Sequence, residues 1–346
     1  MANVSSEPLS SSPADAPVRP PLGSKKSSLE AVPQCWGHRG ASAAFPENTL
    51  ASFEAAIRDG AEGIESDVHI TEDNEIVMFH DPHLDRTTNG TGRIQTQKYH
   101  GVLDQLRTNK SPHQKIPTLR ETLELLMRPE NQKVFLNIDV KVDNEPERLF
   151  SLIRELVSVY DDFETVLAPR LVLGLWHPKY VEPARRLVPY LRLAHIGMSP
   201  SLARKYFWDA CGSFSMSFSC LVGSDGVAFR DECKRAGKDL YVWTVNSRRE
   251  MIEATKWGAK AILTDKTDEW LSLRTEMEND WEKVSKETSW RFAYTSVWYT
   301  SIANYLLASW ESYLLTKVAG SWDGPHAAPT SAVPMSSVPV GVAASS

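Results

Sequence analysis

The segment GIESDVHITEDNEIVMFHD, residues 63–81, places acidic and imidazole side chains at alternate positions of a predicted strand. Glu65, Asp67 and His69 share one face, because successive side chains of a strand point to opposite faces. A turn then leads to a second strand that ends at His80. Carboxylates that converge on one face repel one another unless a cation lies among them. The segment therefore predicts a cation site next to a histidine that can transfer protons.

Other predicted strands also end in polar side chains. In FLNIDVK, Asn137, Asp139 and Lys141 share one face, and the apolar residues between them occupy the other. The remaining strand ends contribute His38, Arg39, Trp243, Asn246, Thr264 and Asp265. If these ends meet at one edge of a sheet, they form a single polar site.

The acidic residues of this set predict a metal site. Glu65, Asp67 and Asp139 offer hard oxygen ligands, which suit Mg²⁺ or Ca²⁺ better than zinc. The alternative is that they only form salt bridges with Arg39 and Lys141. Such bridges account for one carboxylate but not for three, so the metal interpretation is favoured.

The basic residues predict proton transfer and anion binding. His38 and His80 flank the acidic cluster and are the candidate acid and base, in an order that the sequence leaves open. Arg39 and Lys141 are suited to hold an anion, most simply a phosphate. His69 lacks comparable neighbours and is interpreted as structural or exposed.

The elements that must position these residues alternate regularly between strand and helix. Eight βα units with one extra hairpin strand, over roughly 250 residues, are typical of a (β/α)8 TIM barrel, in which functional side chains lie at the carboxyl ends of the strands. The rival, an open doubly wound sheet, is disfavoured because no glycine-rich turn follows the first strand. In the first helix, Asn48 is the expected N-cap and Gly60 the expected stop.

Composition limits the classes of partner. The chain has 346 residues, of which 42% are hydrophobic and 24% charged, and a net charge of −6. No stripe of lysine and arginine is present, which argues against nucleic acid as the main partner. The four cysteines contain no C-x-x-C pair and are interpreted as reduced thiols of an intracellular protein. Nothing in the sequence predicts an oligomeric state.

Four segments are predicted along the chain. Residues 1–32 form a Ser/Pro-rich tail without the apolar region of a signal peptide, and residues 320–346 form a second disordered tail. The barrel domain takes residues 33–286. Residues 287–319 form an aromatic segment with no charge between Phe292 and Trp310.

The aromatic segment predicts contact with a membrane surface. Tyrosine and tryptophan favour the membrane–water interface. Those of the segment include Trp290, Trp298, Tyr299, Tyr305, Trp310 and Tyr313. An amphipathic helix lying in the membrane plane is favoured over a spanning helix, since serine, threonine and asparagine interrupt the run. The alternative is a helix packed on the barrel itself.

The motifs together resemble the glycerophosphodiester phosphodiesterase family. The segment HRGASAAFPENTLASFEAAIRDGAEGIESDVHITEDNEIVMFHDPHLDRTTNGTG contains its HRG, PENT, E-x-D, HD and L-x-R-T-T-x-G elements. NIDVK, VWTVN and ILTD follow in the expected order. The resemblance implies a (β/α)8 barrel with an insertion after the second strand, at about residues 85–115.

The resemblance also implies roles for individual residues. It makes Glu65, Asp67 and Asp139 ligands of one divalent cation, and His38 and His80 the acid and base. Arg39 and Lys141 hold the phosphate, with Trp243 and Asn246 beside the substrate, and Glu47 and Asn48 support the site. The family commonly has glutamate where this chain has Asp139, so the metal contact there is expected to be longer or to run through water.

The implied activity is the hydrolysis of a phosphoric diester. Within the family, LVLGLWHPKYVE, LYVWTVN and NIDVK are most similar to fungal phosphatidylglycerol-specific phospholipases C. That similarity implies cleavage of phosphatidylglycerol to diacylglycerol and glycerol phosphate. The expected location is intracellular, with peripheral or monotopic membrane association. The surfaces of the endoplasmic reticulum, mitochondria and lipid droplets are alternatives among which the sequence leaves the organelle open. The alternative is a soluble enzyme that releases glycerol 3-phosphate from deacylated headgroups.

Overall fold

The computed structural model describes residues 32–288 and 302–324, and for residues 302–307 the backbone only. The strands are β1 (Gln34–His38), β2 (Gly63–Ile70), β3 (Ile76–Met78), β4 (Phe135–Val140), β5 (Leu171–Leu175), β6 (Arg192–Gly197), β7 (Ser213–Ser217), β8 (Asp239–Trp243) and β9 (Ala261–Thr264). The helices are α1 (Leu50–Asp59), α2 (Leu119–Met127), α3 (Pro146–Val157), α4 (Phe163–Val166), α5 (Val181–Leu187), α6 (Pro200–Leu202), α7 (Ser224–Arg235), α8 (Arg248–Lys256), α9 (Thr267–Ser285) and α10 (Ile302–Ala319).

Eight of the strands close into a parallel barrel. β1 pairs in parallel with both β2 and β9, and the remaining neighbours run β9-β8-β7-β6-β5-β4-β2. β3 lies outside the ring and pairs antiparallel with β2. The (β/α)8 TIM barrel with one extra hairpin strand is therefore confirmed, and the carboxyl ends of all eight strands open at one mouth.

Alternation along the strands separates two packed layers. Ile64 and Val68 of β2 are fully buried in the main core between the sheet and the helices. The inward positions at the amino end of the barrel carry Trp36, Tyr241 and Val172, which form a separate apolar cluster. The Trp36 and Tyr241 rings lie 4.7 Å apart and fill the barrel below the mouth. The polar inward positions are thereby left at the mouth.

The entry to α1 differs from the expectation. Its N-cap is Thr49, which forms a capping box with Ser52, and not Asn48. Gly60 ends the helix in the left-handed region at φ 109°, as expected. Asn48 instead adopts φ 56° and turns its side chain toward β2. Asparagine and threonine are both good caps and stand side by side here, so the expectation of Asn48 as the N-cap is wrong by one residue.

The predicted insertion lies between β3 and α2. It contains 3₁₀ turns at Ile94–Thr96 and Leu103–Gln105 and has its own small apolar cluster around Leu84, Ile94 and Leu103. Lys110 donates from Nζ to the carbonyl oxygens of residues 42, 43 and 45, at 2.7–3.1 Å. The insertion is thus fastened to the loop that follows β1, beside the mouth.

Helix α10 packs on the barrel at the same end as the mouth. Leu315 contacts the main core, and Glu311 bonds to the backbone of Met198, which follows β6. Beyond the helix, the Trp322 ring lies 4.9 Å from that of His177, which follows β5, and Asp323 pairs with Lys205. Trp322 is only 8% exposed, although the sequence places it in the C-terminal tail.

The opposite face of α10 is open to solvent. Its large apolar side chains recur at helical spacing and are all exposed: Trp310, Tyr313, Leu314 and Val318. None of the helices in the described ranges has both the length and the apolar character needed to cross a bilayer. Trp290, Trp298 and Tyr299 lie outside the described residues.

The four cysteines are free, as the sequence predicts. Three are buried and one is partly buried: Cys35, Cys211, Cys233 and Cys220.

Candidate active site

Three buried carboxylates meet at the barrel mouth. Glu65 and Asp67 come from β2 and Asp139 from β4, whose register sets Asp67 beside Asp139. Their exposed fractions are 3%, 1% and 4%, and one oxygen of each lies within 4.8 Å of the others. Burying three carboxylates so close together is costly unless cations compensate them.

Two cationic side chains enter this acidic cluster. Lys141 Nζ lies 2.5 Å from Asp67 Oδ1 and 2.8 Å from Asp139 Oδ2. Arg39 Nε lies 3.4 Å from Asp67 Oδ2, and its backbone N–H donates to Glu65 Oε2 at 3.1 Å. Salt bridges with Arg39 and Lys141, the weaker alternative from the sequence, are therefore present and reach more than one carboxylate.

The compensation is unequal among the three carboxylates. Burial and the negative charge of Asp67 raise the pKa of Glu65 to about 8. Burial opposes the charged form of Asp67 as well, but Lys141 and Arg39 hold its pKa well below the usual value. Burial also raises the pKa of Asp139. The ionised forms of Glu65 and Asp139 thus lack full compensation from the protein, and hard oxygen donors in this state fit a divalent cation, which would favour their ionised form.

His38, at the end of β1, forms a pair with Asp265. Its Nδ1 lies 2.7 Å from Asp265 Oδ1, and its Nε2 lies 3.9 Å from Glu65 Oε2. Asp265 also accepts from Ser42 Oγ at 2.8 Å and from Asn246 Nδ2 at 2.6 Å. Burial disfavours the imidazolium, but the bond to Asp265 and the charge of Glu65 outweigh it and raise the pKa of His38.

His80 forms the second histidine–carboxylate pair. Its Nδ1 lies 2.7 Å from Asp81 Oδ1, and Arg86 donates to Asp81 from both Nε and Nη2. Arg86 also donates twice to Glu47, which accepts in turn from Arg39 at 2.9 Å. Burial and the charge of Lys141 lower the pKa of His80 to about 4. The two histidines thus stand in opposite electrostatic environments.

Arg39 and Asn48 adopt strained backbone conformations. Their φ angles are 58° and 56°, in the left-handed region that residues other than glycine seldom occupy. The Asn48 N–H donates to the Arg39 carbonyl, and its side chain donates to Asp67 Oδ2 at 2.8 Å. The HRG and PENT elements are therefore folded against each other, and these backbone conformations direct the side chains of Arg39 and Asn48 toward Asp67.

His69 has a place in the site that the sequence does not predict. It is buried, and its Nε2 lies 3.1 Å from the carbonyl oxygen of His80. Its Nδ1 lies 3.4 Å from Asp143. His69 therefore supports the backbone of His80 from below, so the structural interpretation holds and the exposed one is wrong.

Two tryptophans border the cluster on the side of β5 and β8. Trp243 donates from Nε1 to the carbonyl of Ser215, and Trp176 donates from Nε1 to Asp139 Oδ1 at 2.7 Å. Their rings meet edge to face with centroids 5.7 Å apart. Asn246, the other predicted substrate contact, uses its amide on Asp265.

The structure brings all the predicted site residues to the barrel mouth. Trp243 and Asn246 reach the cluster indirectly, Trp243 through Trp176 and Asn246 through Asp265. It adds partners to which the sequence assigns no role, namely Asp81, Arg86 and Trp176. It also pairs Asp265, which the sequence places among the polar strand ends, with His38. Asp81 and Arg86 lie in the HD and L-x-R-T-T-x-G elements, and Asp265 ends the ILTD element. Trp176 follows an apolar strand and gave no signal of its own.

Comparison with known proteins identifies the family. The profile of the Glycerophosphoryl diester phosphodiesterase family matches residues 38–269. A glycerophosphodiester phosphodiesterase of Caldanaerobacter subterraneus is 28% identical over 253 residues, 68% of this chain and 95% of the relative. The human glycerophosphodiester phosphodiesterase 1 is 35% identical over 131 residues, 36% of this chain and 39% of the relative.

Solved structures share the fold. A phosphodiesterase of Oleispira antarctica, in complex with the product sn-glycerol-3-phosphate, matches with a TM-score of 0.59 at 24% identity, over 70% of this chain and 97% of that one. A glycerophosphodiester phosphodiesterase of Agrobacterium tumefaciens matches with a TM-score of 0.56 at 22% identity, over 70% and 100%. With the profile match over more than half of its length, the chain belongs to the glycerophosphoryl diester phosphodiesterase family and is a phosphoric diester hydrolase.

Proposed function

We propose that this chain hydrolyses glycerophosphodiesters of the deacylated phospholipid type and releases glycerol 3-phosphate. The observation that carries the proposal is the arrangement of the mouth. A buried acidic cluster with two cationic side chains stands between two histidine–carboxylate pairs. The names of the relatives support a glycerophosphodiester substrate, and one related structure holds glycerol 3-phosphate.

We propose that Glu65, Asp67 and Asp139 bind one divalent cation, Mg²⁺ or Ca²⁺. When bound, such a cation would offset charge on the phosphate oxygens and help to orient the diester. The shorter side chain of Asp139 is no obstacle to this proposal, because its carboxyl lies within 4.8 Å of the other two. Both metals take oxygen ligands, so affinity titrations with Mg²⁺ and with Ca²⁺ distinguish between them.

We propose that the two histidines exchange protons with the substrate. One removes the proton of the 2-hydroxyl of the glycerol group, whose oxygen then forms a bond to phosphorus. The bond from phosphorus to the alcohol oxygen breaks, and the other histidine donates a proton to that oxygen. Water then opens the cyclic phosphate. Asp265 and Asp81 would orient the imidazoles, and Arg39 and Lys141 would bind the phosphate oxygens.

A substrate panel tests the proposed function. Full-length protein is assayed with glycerophosphocholine, glycerophosphoethanolamine, glycerophosphoglycerol and phosphatidylglycerol vesicles, with and without EDTA, and the products are identified. The expected result is glycerol 3-phosphate from the deacylated substrates and loss of turnover with EDTA, restored by Mg²⁺ or Ca²⁺. His38→Ala and Asp67→Asn should each abolish turnover. Turnover that persists in EDTA would contradict the metal assignment, and turnover that persists in His38→Ala would contradict the catalytic one.

A second candidate is phospholipase C activity on phosphatidylglycerol at a membrane surface. The exposed face of α10 supports it, because Trp310, Tyr313, Leu314 and Val318 form one stripe at the barrel end that contains the mouth. Lys317 lies one helical turn after Tyr313, and its positive charge would favour an anionic membrane surface. A peripheral, intracellular membrane location is part of this candidate.

Matched valine substitutions test the membrane contact. Val318 on α10 is 56% exposed, and Val159, after α3, is 63% exposed. If α10 binds membranes, Val318→Ser combined with Trp310→Ser should weaken sedimentation with phosphatidylglycerol vesicles, and Val159→Ser should not. Diacylglycerol release from those vesicles would favour the lipase. Turnover of deacylated substrates alone, in full-length protein, would exclude it.

A further inference from the structure

Asp139 is held at both of its carboxyl oxygens, by groups of different kinds. Oδ1 accepts the indole N–H of Trp176 at 2.7 Å, and Oδ2 lies 2.8 Å from Lys141 Nζ. The first donor is neutral and the second is charged. The same ammonium lies 2.5 Å from Asp67 Oδ1. A cation that enters the acidic cluster therefore competes with Lys141 but has no reason to displace Trp176.

The indole of Trp176 is itself fixed from several sides. It directly follows β5, and its edge meets the ring of Trp243 at 67°. Lys141 Nζ lies 5.8 Å from its centroid, within cation–π distance. The next residue, His177, is fully buried and packs against Trp322. The donor thus points at Asp139 from a scaffold of packed rings and not from a free side chain.

We propose that Trp176 is a positioning residue for the metal site: its N–H keeps Oδ1 of Asp139 occupied, so that Oδ2 remains the oxygen presented to the cation. This inference rests on the proposed metal site. Asp139 has only two side-chain torsions, and a hydrogen bond to one oxygen sets the second of them. Without the indole, the carboxyl can rotate, and a buried oxygen loses its donor. Donors to metal ligands commonly govern affinity in this way.

The direct measurement is the affinity for Mn²⁺, used as a paramagnetic probe for the divalent cation. Full-length protein is stripped with chelator, dialysed and titrated, and free Mn²⁺ is followed by electron paramagnetic resonance. Trp176→Phe keeps an aromatic ring and removes the donor. Replacement of Trp176 by benzothienylalanine keeps the bicyclic shape as well and still lacks the N–H. Both should raise the Kd for Mn²⁺ by about 10- to 100-fold.

The control is the same substitution at a neighbouring tryptophan. Trp322 packs against His177, the neighbour of Trp176, whereas the indole donor to Asp139 belongs to Trp176, so Trp322→Phe disturbs the packing of the loop without removing the donor. Its Kd for Mn²⁺ should stay within about twofold of the unsubstituted protein. Thermal melting of each variant shows whether the fold is kept. With Trp176→Phe, saturating Mn²⁺ should restore kcat, since the loss lies in cation binding and not in the chemical step.

The outcomes separate this inference from the proposed function. Asp139→Asn is measured in parallel. If Asp139→Asn weakens Mn²⁺ binding and both replacements of Trp176 leave it unchanged, the positioning role is refuted and the metal site stands. If Asp139→Asn also leaves binding unchanged, the metal site itself is refuted. An equal loss in Trp322→Phe would attribute the effect to the loop and would likewise overturn the role of the N–H.

Discussion

Replacing Asp265 with asparagine should disable His38 through its tautomer. Asp265 accepts from His38 and Ser42 on Oδ1, and from Asn246 on Oδ2 at 2.6 Å. Asn246 cannot turn its amide around easily, because its Oδ1 accepts from Thr264 Oγ1 and from the Asp265 N–H. An asparagine at position 265 therefore meets a fixed donor on one side, and places its own NH₂ on the side of His38.

The magnitude follows from that geometry. With an NH₂ group facing Nδ1, the imidazole becomes an acceptor there and carries its proton on Nε2. That tautomer cannot accept a proton at Nε2, and the loss of the Asp265 carboxylate also disfavours the imidazolium that is needed for donating one. The lost hydrogen bond is to a charged group and contributes about 1.5–3 kcal/mol, or roughly 10- to 150-fold. A comparable change in a serine protease lowers kcat by about 10⁴. We therefore expect kcat to fall between about 10- and 10⁴-fold.

The pH profile gives the second readout. The bond to Asp265 raises the pKa of His38, so its removal should move the limb of the profile that reports His38 to lower pH. The assay is kcat/KM on a glycerophosphodiester across pH, with ¹⁵N spectra of the imidazole to identify the tautomer. Ser42→Ala removes one donor to Asp265 and leaves the pair intact, so it should cost only severalfold. A kcat within about threefold of the unsubstituted enzyme and an unmoved limb would refute the reasoning.

Further predictions concern groups around the site. Arg86→Ala should lower kcat/KM about tenfold with a change in unfolding free energy below about 1 kcal/mol, because its ion pairs are half-exposed; a large loss of stability without loss of activity would contradict this. His69→Leu leaves the His80 carbonyl without its donor and should lower kcat severalfold at unchanged KM, whereas a KM effect alone would argue against support of His80. Glu311 is partly buried, and desolvation of its carboxyl raises its pKa to about 7, so its contribution to stability is present below pH 4.5 and is lost as the pH rises through 7. Glu311→Gln should therefore raise the free energy of unfolding at pH 8 by up to about 3 kcal/mol and leave it unchanged at pH 4. The melting temperature at the two pH values measures this difference, and equal effects at both would exclude titration of Glu311 as the cause.

The sequence predicts which face of a strand a side chain occupies better than it predicts the hydrogen-bond partner of that side chain. Period-2 alternation is enough to place Glu65 and Asp67 on one face, and the register of β2 with β4 then brings Asp139 beside them. The pairing of His38 with Asp265 joins residues 227 positions apart, and alternation carries no information on such a pair. It depends on which strands close the barrel, which is a property of the whole fold.

Local signals fail where several solutions have similar energy. The sequence predicts Asn48 as the N-cap of α1, whereas the structure has Thr49, because neighbouring polar residues cap almost equally well. The hydrogen bond from the Asn48 side chain to Asp67 decides between them. The side chain of Trp176 is mostly apolar, so the hydrophobic pattern of the sequence assigns it to the core, although it acts through its single N–H. Such residues are recognised only when their polar atom is seen against a partner.

The charges of the cluster explain why anion binding and cation binding should depend on each other. Three ionised carboxylates facing two cationic side chains, Lys141 and Arg39, would leave one excess negative charge. Without a metal, the raised pKa of Glu65 means that its carboxyl keeps a proton at neutral pH, which cancels this excess. A divalent cation would convert the excess into one positive charge, which matches the single charge of a phosphodiester. It would also compete with Lys141 for Asp67 and Asp139, and a lysine released from those oxygens is free to bind phosphate. Cation and substrate should therefore bind with positive cooperativity, each raising the affinity for the other by the same factor.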